Sequence, residues 1–139
     1  MQSDDYKEKT KKKYLYENMY FHSAPELATY IWLKDNHLSF KYQPNLKFKY
    51  KFNGKMHFYM PDFLIEGKIV EIKGDHFFKS DGTMQNPYDH SQDALYEAKH
   101  QCMLKNNVEI WRYEKYMKYI KYVEHTYGKN YILSFKLMK

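Results

Sequence analysis

The chain is short of cysteine, arginine and long apolar runs, and these shortages exclude several classes of protein. Cys102 is the only cysteine, so an internal disulfide is excluded, no paired cysteines can hold zinc, and we assign Cys102 to the core. No apolar run approaches the roughly 20 residues of a membrane-spanning helix, and residues 1–5 lack the basic and apolar regions of a signal peptide. We therefore expect a cytoplasmic protein that does not contact a membrane.

The net charge is +6, which suits a polyanionic partner such as nucleic acid. Arg112 is the only arginine among 23 basic residues, so nearly all of the positive charge comes from lysine. Lysine, tyrosine, asparagine and phenylalanine are also the residues that an AT-rich genome over-supplies. Composition alone therefore indicates DNA only weakly.

The length of 139 residues and the hydrophobic content of 43% fit one domain with a modest core. Helical periodicity alternates with short extended runs, which predicts an α/β fold with a mixed central β-sheet flanked by helices. The first residues are polar and rich in lysine, without an apolar period, and are typical of a flexible arm. We assign residues 1–13 to this basic arm, 23–112 to the core, and 113–139 to a C-terminal helix and tail.

Local signals place the elements along the chain. Apolar residues at helical spacing predict a helix over Ala24–Asp35, which Asn36 ends. Asn53 and Gly54 are a type I′ hairpin signal between two extended runs. The other predicted elements are strands at 40–42, 46–52, 55–60 and 108–111, a loop at 74–90, helices at 91–106 and from 113 to Gly128, and an edge strand at 131–137.

Two apolar runs meet at Glu66 and Gly67, which predict a hairpin with a two-residue loop. Such a loop pairs Ile65 with Lys68, Phe63 with Val70, and Asp62 with Glu71. Strand alternation then puts Lys73 on the same face as Glu71. The opposite face becomes apolar, with Phe63, Ile65, Val70 and Ile72.

The polar face of this hairpin indicates phosphodiester chemistry. Asp62 and Glu71 repel each other unless a cation lies between them, and their hard oxygen ligands suit Mg²⁺ or Mn²⁺. Such an ion activates a water and neutralises the charge that develops in the transition state, while Lys73 adds a point charge beside the phosphate. The competing interpretation is that Glu71 and Lys73 are solvated charges on an exposed strand.

These residues resemble the motif of the PD-(D/E)XK nuclease superfamily: Pro61-Asp62, a gap, and Glu71-Ile72-Lys73. The resemblance is to its small stand-alone, phage-type endonucleases and implies a restriction-endonuclease-like core. It implies that Asp62 and Glu71 bind Mg²⁺, with Mn²⁺ as a substitute, that the Ile72 backbone carbonyl adds a ligand, and that Lys73 is catalytic.

The superfamily often carries a glutamate on the helix before the core sheet, and Glu26 is the matching residue. The resemblance therefore implies that Glu26 is catalytic and supports a metal ion. Ser23 followed by Glu26 is also a capping box, with Pro25 in the first helical turn. The two roles are compatible.

Three further residues are candidates for binding nucleic acid, in addition to Lys73. Many relatives place a lysine or glutamine from the following helix on the phosphate, and Lys99 fits this position better than Gln101. Helical spacing puts Lys99 at the buried edge of its helix, so snorkelling from the core boundary is the alternative. His76 adjoins the site and is a candidate phosphate contact, although most loop histidines are not.

The last helix carries a repeat of lysine and tyrosine that has two interpretations. The lysines at 115, 118 and 121 are able to reach phosphates, with rings nearby. The interpretation we favour is an ordinary amphipathic helix whose lysines are solvated. Its predicted buried stripe consists of Tyr113, Met117, Ile120 and Val123.

The sequence thus predicts a magnesium-dependent endonuclease that hydrolyses DNA, guided by substrate structure or by weak sequence preference. Relatives of this size often act as homodimers, so a homodimer is expected. The alternatives are an RNA-directed nuclease and a catalytically silent module of the same fold that binds nucleic acid or protein.

Overall fold

The computed structural model describes residues 12–138, and within them the chain forms three α-helices and eight β-strands. The strands are β1 (Tyr14–Tyr16), β2 (Met19–Phe21), β3 (Phe40–Tyr42), β4 (Phe48–Phe52), β5 (Lys55–Tyr59), β6 (Phe63–Ile65), β7 (Lys68–Ile72) and β8 (Glu109–Trp111). The helices are α1 (Ala24–Asp35), α2 (Asp93–Lys105) and α3 (Tyr113–Tyr127), with 3₁₀ turns at Asp75–Phe77, His90–Gln92 and Leu133–Phe135. The predicted α/β class is confirmed.

A mixed four-stranded sheet forms the centre of the fold, in the order β3, β6, β7, β8. The predicted hairpin register is confirmed, with Ile65 opposite Lys68 and Phe63 opposite Val70. Its two-residue turn has positive φ at both Glu66 (47°) and Gly67 (83°), as a type I′ turn requires. Strand β8 lies parallel to β7, as a crossover through α2 predicts.

One face of this sheet is covered by α1 and α3 and contains the main core. The predicted apolar face is confirmed, because Phe63, Ile65, Val70 and Ile72 are all buried in this core. Helix α1 has the predicted bounds, begins after an N-cap at Ser23 and ends at a C-cap on Asn36. The hairpin register and the position of α1 together determine where the motif residues of β6 and β7 lie relative to Glu26.

The opposite face packs against α2 and the β4–β5 hairpin through a smaller core. This core contains the buried residues Tyr59, Met84, Cys102, Met103 and Val108, with Ile69 and Ile110 from the sheet against it. Cys102 is 5% exposed, which confirms its assignment to the core. Both residues of the β4–β5 turn have positive φ, Asn53 at 49° and Gly54 at 74°, so the predicted type I′ hairpin is also confirmed.

The predicted edge strand at 131–137 is wrong. The segment forms a 3₁₀ turn at Leu133–Phe135, and its only ladder contact among the described residues is an isolated bridge between Tyr14 and Lys136. Tyr131 and Phe135 both pack on the Tyr16 ring, at centroid distances of 6.4 and 4.8 Å. Residues four apart are separated by about 6 Å along a helical turn but by about 13 Å along a strand, so both rings reach Tyr16 when the segment is helical. This aromatic contact overrides the alternating pattern.

Two details of the helices also differ from the predictions. Helix α2 begins at Asp93, because His90–Gln92 form a separate 3₁₀ turn. The buried residues of α3 are Tyr116, Tyr119 and Val123, whereas Tyr113 is 51% exposed and Met117 and Ile120 are half-buried. Tyr119 is drawn inward because its ring packs against Trp32 and Trp111 at 4.6 and 5.7 Å. The lysines of this helix are exposed, as predicted.

The predicted basic arm lies outside the described residues except for Lys12 and Lys13. Lys13 is tied into the fold, because its N–H donates to the Phe21 carbonyl at 3.1 Å and its carbonyl accepts from Leu137 at 2.8 Å. Among residues 12–138, none of the helices has the length and apolar character needed to cross a membrane.

The central hairpin makes a testable contribution to stability. Phe63 is fully buried between β3 and β7, so Phe63→Ala should lower the free energy of unfolding by about 3–5 kcal/mol through lost burial and a cavity. Urea denaturation followed by circular dichroism measures this loss. Leu133→Ala is the matched control, because Leu133 is 59% exposed and its truncation should cost less than about 0.5 kcal/mol. Equal losses in both variants would contradict the assigned core.

Candidate functional site

The motif residues converge at the open end of the β6–β7 hairpin. Asp62 and Glu71 are 0% exposed and Lys73 is 4% exposed. The Asp62 Oδ2 atom accepts a hydrogen bond from the Ile72 N–H at 2.7 Å, which fixes this carboxylate beside the Ile72 peptide. Such burial excludes the interpretation of Glu71 and Lys73 as solvated charges on an exposed strand. Buried charges require partners, and the surrounding residues supply them.

Glu71 is held between a phenol and an amine. The Tyr59 hydroxyl donates to Glu71 Oε1 at 2.8 Å, and Lys73 Nζ lies 3.6 Å from Glu71 Oε2. Tyr59 is itself fully buried at the end of β5. The sequence predictions missed Tyr59, because β5 belongs to a different sheet and strand pairing does not relate it to Glu71.

Glu26 serves the helix through its backbone and faces the site through its side chain. Its N–H donates to the Ser23 hydroxyl at 3.3 Å, which confirms the predicted N-cap. Its carboxylate is fully buried, accepts from the Tyr42 hydroxyl at 3.2 Å and lies 2.9 Å from His22 Nδ1. The backbone of Glu26 therefore takes part in the helix cap, while its side chain lies beside His22 and Tyr42.

His22, Glu26 and Asp62 form a group that is able to hold a metal ion. One ligand atom from each residue lies within 4.8 Å of the other two. The two carboxylates supply hard oxygen ligands that suit Mg²⁺ or Mn²⁺, whereas an imidazole nitrogen is a poor ligand for Mg²⁺, so this donor set suits Mn²⁺ better than Mg²⁺. The chemistry of these residues therefore fits the implied ion.

The membership of this group differs from the predicted metal ligands. It contains Asp62 and Glu26 but, among the described residues, not Glu71, whose carboxylate lies beside Tyr59 and Lys73 instead. Sequence reasoning missed His22. The available signal was its position four residues before Glu26 and directly before the N-cap, where both side chains approach the same helix terminus.

Lys73 and Lys99 each lie against an aromatic ring, and they come from different elements. Lys73 Nζ lies 4.6 Å from the centre of the Phe77 ring, and Lys99 Nζ lies 4.8 Å from the centre of the Tyr96 ring. These two rings are parallel within 3° at 6.2 Å. Lys99 is only 4% exposed, as its predicted position at the buried edge of α2 requires. Gln101, the alternative to Lys99, is exposed and donates to Glu97 at 2.6 Å.

A cavity of about 310 Å³ opens beside these groups. Several parts of the chain line it: Lys13, the segment before and at the start of α1, the end of β7, the loop at 74–90, Tyr96 of α2 and Tyr116 of α3. His76 lies on this wall, and its Nε2 is 3.1 Å from the Tyr88 hydroxyl. The structure therefore brings His76 to the same cavity as Lys73, His22 and Ser23.

The loop at 74–90 is fastened to α2 by two carboxylates. Glu97 accepts from the Met84 N–H at 2.7 Å, and Asp93 accepts from the Asn86 N–H at 2.8 Å. Desolvation acts to raise the pKa of Glu97, but hydrogen bonds from Met84, Gln101 and His100 outweigh it and hold this pKa below its usual range. The wall of the cavity is therefore held by ionised groups of α2.

No protein-family model, curated protein or solved structure matches the chain. The function is therefore inferred from the geometry and chemistry of the site itself.

Metal binding at His22, Glu26 and Asp62 should stabilise the fold. Mn²⁺ at 100 times its Kd should add about 2.7 kcal/mol, which is a rise in Tm of roughly 10 °C for a domain of this size. Asp62→Asn should remove most of this metal-dependent rise, because one of three ligands loses its charge. Thermal unfolding with Mn²⁺ and with EDTA measures the rise.

Glu124→Gln is the matched control, because Glu124 is an exposed carboxylate on α3. This variant should keep the full metal-dependent rise in Tm. A rise that Asp62→Asn retains would show that the ion binds elsewhere.

Proposed function

We propose that the protein is a divalent-metal-dependent endonuclease that hydrolyses DNA phosphodiester bonds with a PD-(D/E)XK-type centre. The observation that carries the proposal is the juxtaposition of His22, Glu26 and Asp62, with ligand atoms within 4.8 Å, at the end of the hairpin that also holds Glu71 and Lys73. Phosphodiester hydrolysis requires groups that activate water and stabilise negative charge, and a cation site beside a buried acid and amine provides such groups.

In the proposed reaction the metal ion, when bound, lowers the pKa of the attacking water and offsets negative charge on the phosphate. His22, Glu26 and Asp62 would hold it, and the hydrogen bond from Ile72 keeps the Asp62 carboxylate oriented. The same bond places Asp62 beside the backbone of Ile72. The Ile72 carbonyl oxygen is the further proposed ligand.

Lys73 is the proposed group for charge stabilisation. Its ammonium, 3.6 Å from Glu71, donates to a nonbridging phosphate oxygen or to the attacking water. Glu71 is oriented by the Tyr59 hydroxyl and keeps the Lys73 amine at the site. Lys99 supplies a second positive charge for the phosphate, from the α2 side.

Burial supports an enzyme over the silent module. Glu26, Asp62 and Glu71 are all 0% exposed, and each buried carboxylate carries a desolvation penalty of several kcal/mol. A domain that only bound nucleic acid would need its charges on the surface. The proposed roles, metal binding by Glu26 and Asp62 and positioning of Lys73 by Glu71, account for the burial of these acids.

The fold supports the proposal at the level of architecture. A restriction-endonuclease-like core is proposed for the mixed sheet with α1 and α3 on one face and α2 on the other. Cytoplasmic location, action as a homodimer, and structure-guided or weakly sequence-specific cleavage belong to the same proposal.

Cleavage of DNA tests the proposal. Wild-type protein should cut DNA with Mg²⁺ or Mn²⁺ and stop when EDTA is added, while Asp62→Asn and Lys73→Met should each lower the rate by at least about 100-fold. Gel analysis of supercoiled, linear, single-stranded and branched DNA, with matched RNA, measures the rate and the substrate preference.

The control for this experiment is Lys121→Met, which removes an exposed lysine from the outer side of α3 and should leave the rate within about twofold. Cleavage that persists in Asp62→Asn would indicate a contaminating nuclease. Absence of cutting by the wild type on every substrate would refute the enzymatic proposal. Cutting of RNA alone would refute DNA as the substrate and favour the RNA-directed nuclease.

A further inference from the structure

Four of the aromatic side chains that line the cavity cluster next to Lys73, and we call them the aromatic wall: His76, Phe77, Tyr88 and Tyr96. Phe77 is its centre, with ring centroids 4.5 Å from His76, 6.1 Å from Tyr88 and 6.2 Å from Tyr96. The Lys73 amine lies 4.6 Å from the centre of the Phe77 ring, so the aromatic wall is next to the proposed catalytic amine.

Tyr88 distinguishes the aromatic wall from an ordinary core cluster. It is 79% exposed, whereas the other exposed tyrosines among residues 12–138, namely Tyr20, Tyr113 and Tyr127, are 42–51% exposed. Its position is nevertheless fixed: its N–H donates to Asn86 Oδ1 at 2.9 Å and its hydroxyl bonds to His76 Nε2 at 3.1 Å. A ring that is held in place but open to solvent offers a stacking surface.

We propose that the aromatic wall binds one unpaired base of a nucleic-acid substrate, beside the phosphate that is cut. Proteins that bind single strands combine amines on the backbone with rings on the bases, and here Lys13, Lys73 and the aromatic wall share one cavity. A cavity of about 310 Å³ takes one planar ring system and excludes a base-paired duplex.

The inference rests on the proposed function and adds a substrate class to it: DNA with an unpaired nucleotide, as in single strands, gaps and branch points. The base stacks on Tyr88 and Phe77, and the adjoining phosphate lies at Lys73. The loop that carries Tyr88 is fastened to α2 through Asp93 and Glu97, so the stacking surface is formed before the substrate binds.

Fluorescence titration in EDTA tests the pocket without cleavage. The probe is a short oligodeoxynucleotide with one 2-aminopurine, either single-stranded or fully paired in a duplex. Wild type should bind the single strand more tightly than the duplex and quench its fluorescence. Tyr88→Leu should weaken single-strand binding by about 5- to 100-fold, because a stacking ring is lost.

Two variants make the result specific. Tyr88→Phe keeps the ring and should bind the single strand within about twofold of the wild type. Tyr127→Leu removes a 42% exposed ring near Asp35, at the opposite end of α1 from the cavity, and should also bind like the wild type. Thermal unfolding of each variant verifies that it is folded.

The outcomes separate the pocket from the enzyme. Two results would refute base binding by the aromatic wall without contradicting the proposed DNA cleavage. One is unchanged single-strand affinity and quenching in Tyr88→Leu, and the other is equal affinity of the wild type for single strand and duplex. Binding that depends on Tyr88, in a protein that cuts no nucleic acid, would support the pocket and refute the nuclease. No binding of either probe would overturn the pocket.

Discussion

The register of the β6–β7 hairpin is the constraint on which the rest of the structure depends. Its two-residue turn at Glu66 and Gly67 pairs Phe63 with Val70, and a slip of one residue would exchange the two faces of β7. Val70 would then face the site and Glu71 would enter the apolar core. At the open end of the hairpin, the Ile72 N–H donates to the Asp62 carboxylate, and this bond holds β7 in the same register beside Asp62.

That constraint concentrates charge in the interior, which costs stability. Three carboxylates, those of Glu26, Asp62 and Glu71, are fully buried near one another. Hydrogen bonds from Tyr59, Tyr42 and the Ile72 N–H offset part of the desolvation penalty. A cation at the proposed site of His22, Glu26 and Asp62 would offset more of this penalty and would thereby stabilise the fold.

The sequence was sufficient where the signals were local. Helix α1 with its cap at Ser23, the two type I′ turns and the facing pairs of β6 and β7 follow from residues close in the chain. The predictions missed Tyr59, because its partner Glu71 lies in another sheet. They also missed His22, whose local relation to Glu26 does not reveal the third member of the group, Asp62. In α3 and the tail, ring contacts to Tyr119 and Tyr16 overrode the apolar pattern. Local patterns therefore predicted the hairpin that carries the motif but not the residues that surround it.

The division of the site between strands and loop has a functional consequence. The groups proposed for metal binding and catalysis lie on or directly beside β6, β7 and the start of α1, where backbone hydrogen bonds such as that from the Lys73 N–H to the Trp111 carbonyl hold the chain. The aromatic wall stands mostly on the loop at 74–90, which contributes no strand to the central sheet and owes its position to Asp93 and Glu97. Loop residues can change without disturbing the sheet, whereas the acids cannot. The proposed substrate preference is therefore separable from the proposed catalysis, because each depends on a different set of contacts.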